Sequence, residues 1–279
     1  YACSGLTVYN ALSKVGPLRD GQWLAILGAG GLGLNAVAIA KALGYRHIIA
    51  VDIDDAKLEA AQKVGASQVV NARADDAVDQ LKALTDNQLF GVVDTFGSEQ
   101  TGALAVTAMT KAATYVVVGQ HGGDFKMPQI WLPQKAMTVR GSHVGNSPQL
   151  ATLIQMYRDG KLQDIPIETR PLSAVNEAID DLHAGRVTGR IVFVPDTHPV
   201  LAEGPPRADT LRGGLLGRHA EARRDVRALN GCVRAFQEIE RRGSVPFDEG
   251  RHEWRASLRP LVSIRGDVHR GVVAVQHGN

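Results

Sequence analysis

The sequence predicts an α/β fold on a doubly wound parallel sheet, and three observations carry that expectation. Short β-branched runs alternate with amphipathic stretches of helical length from Gln22 to Pro195. The runs are apolar at consecutive positions, as strands covered on both faces require. A glycine-rich turn, "GAGGLG", separates the first run from the first long amphipathic stretch.

In chain order the strand candidates are "WLAILG", "HIIAVD", "SQVVN", "LFGVVDT", "TYVVVG", "MTVRGS" and "GRIVFVP". Between most of them lie "GLNAVAIAKALG", "DDAKLEAAQKVGA", "DAVDQLKALTD" and "EQTGALAVTAMT", each long enough for a helix. This rhythm describes βαβ units, whose right-handed crossovers lay helices on both faces of one sheet. After Gly145 the rhythm changes. "SPQLATLIQMYRDGK" reads as a helix with Ser147 as N-cap and Pro148 in its first turn. "IPIETRPL" is a short extended piece, and "SAVNEAIDDLHAG" a second helix, with Ser173 and Glu177 near capping-box spacing.

Composition narrows the function classes. The chain has 279 residues, 44% hydrophobic but only 5% aromatic, which suits close-packed helices on a parallel sheet. A net charge of +2 makes no whole-chain case for nucleic acid or for a membrane surface. No apolar run approaches the roughly 18 residues of a membrane span. Two cysteines far apart, Cys3 and Cys232, give no disulfide framework and point to a reducing, cytoplasmic setting. The charge is unevenly spread. Residues 1–199 hold 17 Lys and Arg against 19 Asp and Glu, whereas residues 200–279 hold 14 Arg, no Lys and 10 acidic residues.

The turn "GAGGLG" sets Gly28, Gly30 and Gly33 in GxGxxG register, followed by a helix opening near Leu32. In such a turn the first glycine allows the tight bend and the second lets backbone approach a pyrophosphate. The third lets helix and strand pack closely. The N–H groups of Gly31, Leu32 and Gly33 then face the phosphates at the positive end of the helix dipole. A second strand ends in Asp52, 19 residues after Gly33, where a carboxylate accepts ribose hydroxyls and repels a 2′-phosphate. The alternative is a generic βα turn with Asp52 or Asp54 as a helix N-cap. Motif, context and spacing together favour a dinucleotide site, with NAD over NADP.

Loops at the carboxyl ends of later strands should complete such a site. They are "DTFGS", "VGQHGG" and "GSHVGN", which offer Phe96, Val118 and Gly119 as contacts. Phe96 and Val118 read equally as core residues. His121 and His143 invite an acid–base role, but loop histidines are more often solvated.

The segments "CSGLTVYNALSKVGPLRDGQWLAILGAGGLG", "IIAVDIDDAKLEAAQKVGA", "VVDTFGS", "YVVVG" and "GRIVFVP" resemble the medium-chain dehydrogenase/reductase family, in its zinc-dependent alcohol dehydrogenase branch. The resemblance covers residues 1–195. It implies a Rossmann domain joined to a catalytic domain drawn from both chain ends, with NAD(P)-dependent oxidation of alcohols to aldehydes or ketones, or reduction of carbonyls. It also implies catalytic Zn2+, with Cys3 of "C-x-G-x-T-x-Y" as one protein ligand, although by itself Cys3 reads as a buried inert thiol. Arg190 matches a position that places a cation on the pyrophosphate, against the alternative of a solvated strand-end arginine. "FKMPQIWLP" resembles the edge through which family dimers form, implying a homo-oligomer.

The division expected is residues 1–12 as the end of a catalytic domain and connecting helix, and 13–145 as the NAD-binding domain. Residues 146–195 form the return segment toward a mostly missing catalytic domain, and 196–279 a poorly ordered Arg-rich tail. The remaining zinc ligands and the proton relay are expected before Tyr1, so no catalytic residue is assigned and the chain is expected to be inactive alone. The tail's Arg-only basicity is what out-of-frame reading of GC-rich DNA produces, and Cys232 receives no role. Two alternatives stay open: a zinc-free quinone or enone reductase of the same family, and a non-catalytic NAD-binding module.

Overall fold

The computed structural model describes residues 1–194. The expectations for residues 196–279, Cys232 among them, lie outside the described residues. Six strands, β1 (Trp23–Leu27), β2 (Ile48–Asp52), β3 (Gln68–Asn71), β4 (Leu89–Asp94), β5 (Thr114–Val117) and β6 (Thr138–Gly141), form one sheet. Its order is β3-β2-β1-β4-β5-β6 and every pairing is parallel. The order reverses between β1 and β4, the point at which open α/β sheets bind their ligands. The helices are α1 (Ser4–Val15), α2 (Gly31–Ala42), α3 (Asp55–Val64), α4 (Ala77–Leu84), α5 (Glu99–Ala108), α6 (Trp131–Lys135), α7 (Ser147–Arg158) and α8 (Val175–His183). A separate parallel pair joins β7 (Ile167–Pro171) to β8 (Arg190–Val194).

Period-2 alternation of side chains explains why the strands are apolar throughout. Leu24, Ile26, Ile48, Ala50, Val93 and Val116 face one core, which α1, α2, α3 and α7 close with Val8, Leu12, Val37, Val64 and Leu153. Ala25, Leu27, Ile49, Val51, Val92 and Tyr115 face the other, closed by Leu81 of α4 and Ala105 and Val106 of α5. The strands and helices expected from the sequence are present, and α2 opens at Gly31, one residue before the expected position. Helix α1 runs without a break through Val15, so the division drawn after residue 12 falls within an element.

Two helix starts differ from expectation. The N-cap of α7 is Asn146, not Ser147. The Asn146 side chain accepts from the Gln149 N–H while the Gln149 side chain accepts from the Asn146 N–H, both at 3.0 Å. This reciprocal box satisfies two N–H groups at once and leaves Ser147 inside the helix. Ser173 and Glu177 form no box. A 3-10 turn over Leu172–Ala174 absorbs Ser173, and α8 starts after Ala174 with no side-chain cap.

The sheet ends in an exposed strand, as all four residues of β6 are solvent-accessible. The segment before it carries the exposed side chains of Phe125, Ile130 and Leu132. In the β7–β8 pair, Ile167 is exposed, and along α8 only Ala178 is buried. Among the described residues, no helix is long and apolar enough to cross a membrane.

Leu153 is fully buried where α7 docks on the α1 face of the sheet. Leu153→Ala should lower unfolding stability by about 2–5 kcal/mol, the usual cost of emptying such a site. Urea denaturation monitored by circular dichroism measures it, and a loss below about 1 kcal/mol would show that α7 is not docked there.

Candidate cofactor site

The glycine turn is built by contact. Gly28 follows β1 with a φ of +90°, a left-handed conformation that favours glycine, and a Cβ there would meet the Thr95 hydroxyl at 2.7 Å. A Cβ on Gly33 would overlap the Gly28 carbonyl oxygen, so α2 can start directly behind β1 only with glycine at that position. Gly30 differs. It is the N-cap of α2, has ordinary extended backbone, and an added Cβ would enter open space. Nothing in the local fold requires glycine there, which points to an external group needing close approach to the backbone. The start of α2 has no side-chain cap, so the N–H groups of its first turn, at Gly31, Leu32 and Gly33, are left for a ligand.

Asp52 sits at the end of β2, beside this turn. Its Oδ2 accepts the Ala29 N–H at 2.6 Å, and Oδ1 accepts the N–H groups of Ile53 and Asp54 at 2.8 and 3.1 Å. The N-cap of α3 is Asp54, whose side chain accepts from Ala56 and Lys57, so Asp52 is not spent on capping. A carboxylate offers about four acceptor positions. With three occupied, Asp52 latches the glycine turn and retains capacity for a hydroxyl. Ile53, next to it, is 53% exposed, an apolar surface at the same edge.

Arg190 approaches from the C-terminal segment. A Cβ on Gly31 would lie 2.5 Å from the Gly189 carbonyl oxygen and 2.9 Å from Arg190 Cγ, so the arginine stem lies against the first turn of α2. Burial lowers the Arg190 pKa from its ordinary value, with Cys3 acting in the opposite direction, and no described carboxylate contributes. A guanidinium stays charged at any ordinary pH. A partly buried cation beside an uncapped helix start suits an anion by its charge.

The third wall is formed by the loops after β4 and β5. Phe96 is 41% exposed and stacks on His121, with ring centroids 4.4 Å apart and planes at 23°. Val118 is buried in the core against the α1 side of the sheet. The two loops touch through their backbones: a Cβ on Gly97 would overlap Gly119, and one on Gly119 would overlap the Phe96 carbonyl. His121 is exposed, and so is His143 after β6. The sequence did not single out Thr95, whose hydroxyl donates to Leu27 O at 2.8 Å and Gly28 O at 3.1 Å, joining the β4 loop to the glycine turn.

The described residues fit a dinucleotide: an open backbone cradle, a cation beside it and an acceptor at the end of β2. They do not fit a complete zinc site. Cys3 is exposed at the N-cap of α1, contrary to the buried thiol expected from composition alone. No group of three or more His, Cys, Asp or Glu capable of holding a metal occurs among the described residues.

Known proteins share this fold and sequence pattern. Residues 31–159 match the zinc-binding dehydrogenase family model. The chain is 35% identical over 195 residues to an NAD-dependent alcohol dehydrogenase of Sulfurisphaera tokodaii, covering 69% of this chain and 56% of that protein. It is 34% identical over 194 residues to an alcohol dehydrogenase of Geobacillus stearothermophilus, covering 70% and 56%. The crystal structure of an alcohol dehydrogenase from Aeropyrum pernix matches with a TM-score of 0.66 at 32% identity, over 70% of this chain and 56% of that one. An acetophenone reductase of Geotrichum candidum, solved with NAD, matches at 26% identity with a TM-score of 0.59, over 68% and 52%. These matches identify the described part of the chain as a member of the zinc-binding dehydrogenase family, and the curated relatives it matches are alcohol dehydrogenases. It spans a little over half the length of the curated relatives it matches.

The two glycines should separate in mutagenesis. Gly33→Ala should prevent cooperative folding, because its Cβ has no room. Gly30→Ala should melt within about 2 °C of the parent, as a surface change of under 0.5 kcal/mol would. A large drop for Gly30→Ala in a thermal melt would mean that the cradle is a structural turn.

Proposed function

We propose that this chain carries the NAD-binding portion of a zinc-type alcohol dehydrogenase, which oxidises small alcohols to aldehydes or ketones. The observation carrying the reading is Gly30, a glycine that the fold does not need, at an uncapped helix start flanked by Asp52 and Arg190. Bound there, NAD would supply the acceptor for the hydride leaving the alcohol carbon.

The chain's own groups have distinct tasks in this reading. N–H groups of Gly31, Leu32 and Gly33 bind the pyrophosphate, with Gly30 giving access. The Arg190 guanidinium, whose stem lies against the first turn of α2, neutralises its charge. Asp52 accepts the adenosine ribose hydroxyls and excludes a 2′-phosphate, giving NAD preference over NADP. Phe96 and the Gly119 backbone bound the nicotinamide end and exclude water from it. Val118, buried behind Gly119, supports that wall from below.

Cys3 is the zinc ligand within the described residues in this reading, and a catalytic zinc takes three protein ligands. The others would have to come from outside residues 1–194. We therefore expect residues 1–194 to bind NAD and to depend on further ligands for a catalytic zinc. The exposed β6 edge, with Ile130 and Leu132 nearby, supports a homo-oligomer in the intact enzyme, since open edges invite pairing. A cytoplasmic location belongs to the same reading.

Isothermal titration of the 279-residue chain with NAD and NADP tests it. NAD should bind at least about tenfold tighter than NADP, an energy difference of about 1.4 kcal/mol. Asp52→Ala should weaken NAD and bring the two affinities together, and Gly30→Val should weaken both. Unchanged selectivity in Asp52→Ala would remove the ribose assignment.

A further inference from the structure

The loops that bound the nicotinamide end are held by a buried pair with no part in the binding scheme above. Asp94, the last residue of β4, and Tyr115 of β5 are 0% and 1% exposed. The Tyr115 hydroxyl donates to Asp94 Oδ2 at 2.7 Å. Asp94 Oδ1 accepts the N–H groups of Phe96 at 3.0 Å and Gly97 at 2.8 Å. The Asp94 carbonyl accepts from Val118 and Gly119 at 2.9 and 3.0 Å. One residue thus fixes the turn carrying Phe96 through its side chain and the β5 loop through its backbone.

The two loops then pair directly. His121 N–H donates to Phe96 O and Gly122 N–H to Gly97 O, each at 3.1 Å, and a parallel bridge joins Ser98 to Gly122. The Phe96–His121 stack crowns this pairing. A buried carboxylate is costly unless it is hydrogen-bonded, and a fully satisfied buried network selects one geometry where an apolar pair would only fill space. Burial, and then Asp94, raise the Tyr115 pKa well above the ordinary tyrosine value, so the phenol remains a donor at any working pH.

We propose that Asp94 and Tyr115 are positioning residues. Their hydrogen bond sets the turn that presents Phe96 and so selectively strengthens binding of the nicotinamide half of the dinucleotide. This rests on the NAD reading above. Neither side chain touches the cofactor; both act through the Phe96–Gly97 turn.

The test compares NAD with ADP-ribose, which lacks nicotinamide, by titration of the 279-residue chain and of Tyr115→Phe, Phe96→Ala and their double variant. The Tyr115→Phe ring keeps its packing against Phe125, 5.7 Å away between centroids. NAD affinity should fall about fivefold to tenfold in Tyr115→Phe while ADP-ribose affinity changes by under about twofold. The double variant should bind NAD no more weakly than Phe96→Ala, because both changes act on one contact. A lower melting temperature with both affinities unchanged would leave the pair a purely structural role and overturn the proposal. Equal weakening of both ligands would overturn it too, since the effect would not be confined to the nicotinamide end. If the parent binds neither ligand, the NAD reading itself falls, and the proposal with it. Should Tyr115→Phe not fold, Asp94→Asn decides. Its side-chain oxygen can still accept from Phe96 and Gly97, and a smaller but NAD-selective loss is expected. No selective loss there overturns the proposal.

Discussion

The close approach of Gly33 to the Gly28 carbonyl is the contact on which the rest of the structure depends. Because no Cβ stands between them, α2 turns back immediately behind β1 and lies flat on the sheet. Its buried face, from Leu34 through Ala40, then closes one core with α1. The same approach leaves the first turn of α2 open at the carboxyl edge of the sheet, where the strand order reverses. A helix displaced by even one side chain would lose both the packing behind it and the cradle before it.

Around that contact, polar groups serve as braces. Asp52 ties the end of β2 to the turn, and Thr95 ties the loop after β4 to it from the other side. Asn35, buried in α2, donates to the Ser4 hydroxyl at 3.2 Å and to Gly31 O at 3.0 Å, which links Cys3's neighbour to the glycine turn. No buried side-chain nitrogen or oxygen among the described residues lacks a partner. The consequence is a site whose walls, drawn from β1, β2, β4 and β5, are held in register with one another rather than by a single loop.

The return segment is braced differently. Arg170 of β7 contacts Glu168 and Asp181, each at 2.6 Å, and Arg186 meets Asp181 at 2.7 Å. These pairs raise the Arg170 pKa and lower that of Asp181. They fasten α8 to β7, where Ile167, Leu172 and Leu182 are exposed. Arg190 and Gly189 lie against the first turn of α2, so this segment meets the glycine turn through backbone and one cationic side chain.

The alternation of strands and helices, the parallel sheet and the glycine turn were legible in the sequence because each is a local pattern. Short continuous apolar runs, period-3.6 hydrophobicity and the glycine spacing need no partner to be read. Tertiary structure decided whatever depends on residues that the crossovers bring together. Asp52 looked like a ribose acceptor or a helix N-cap, but β2 lies beside β1, so its carboxylate also latches Ala29. Val118 and Phe96 looked alike, yet pairing with β4 buries one while the loop beyond presents the other. The cap at Asn146 turned on which backbone N–H groups its side chain could reach, while α8 starts after Ala174 with no side-chain cap. Asp94 and Tyr115, 21 residues apart on neighbouring strands, carried no sequence signal, because a hydrogen bond across a parallel sheet exists only once the intervening helix has folded back.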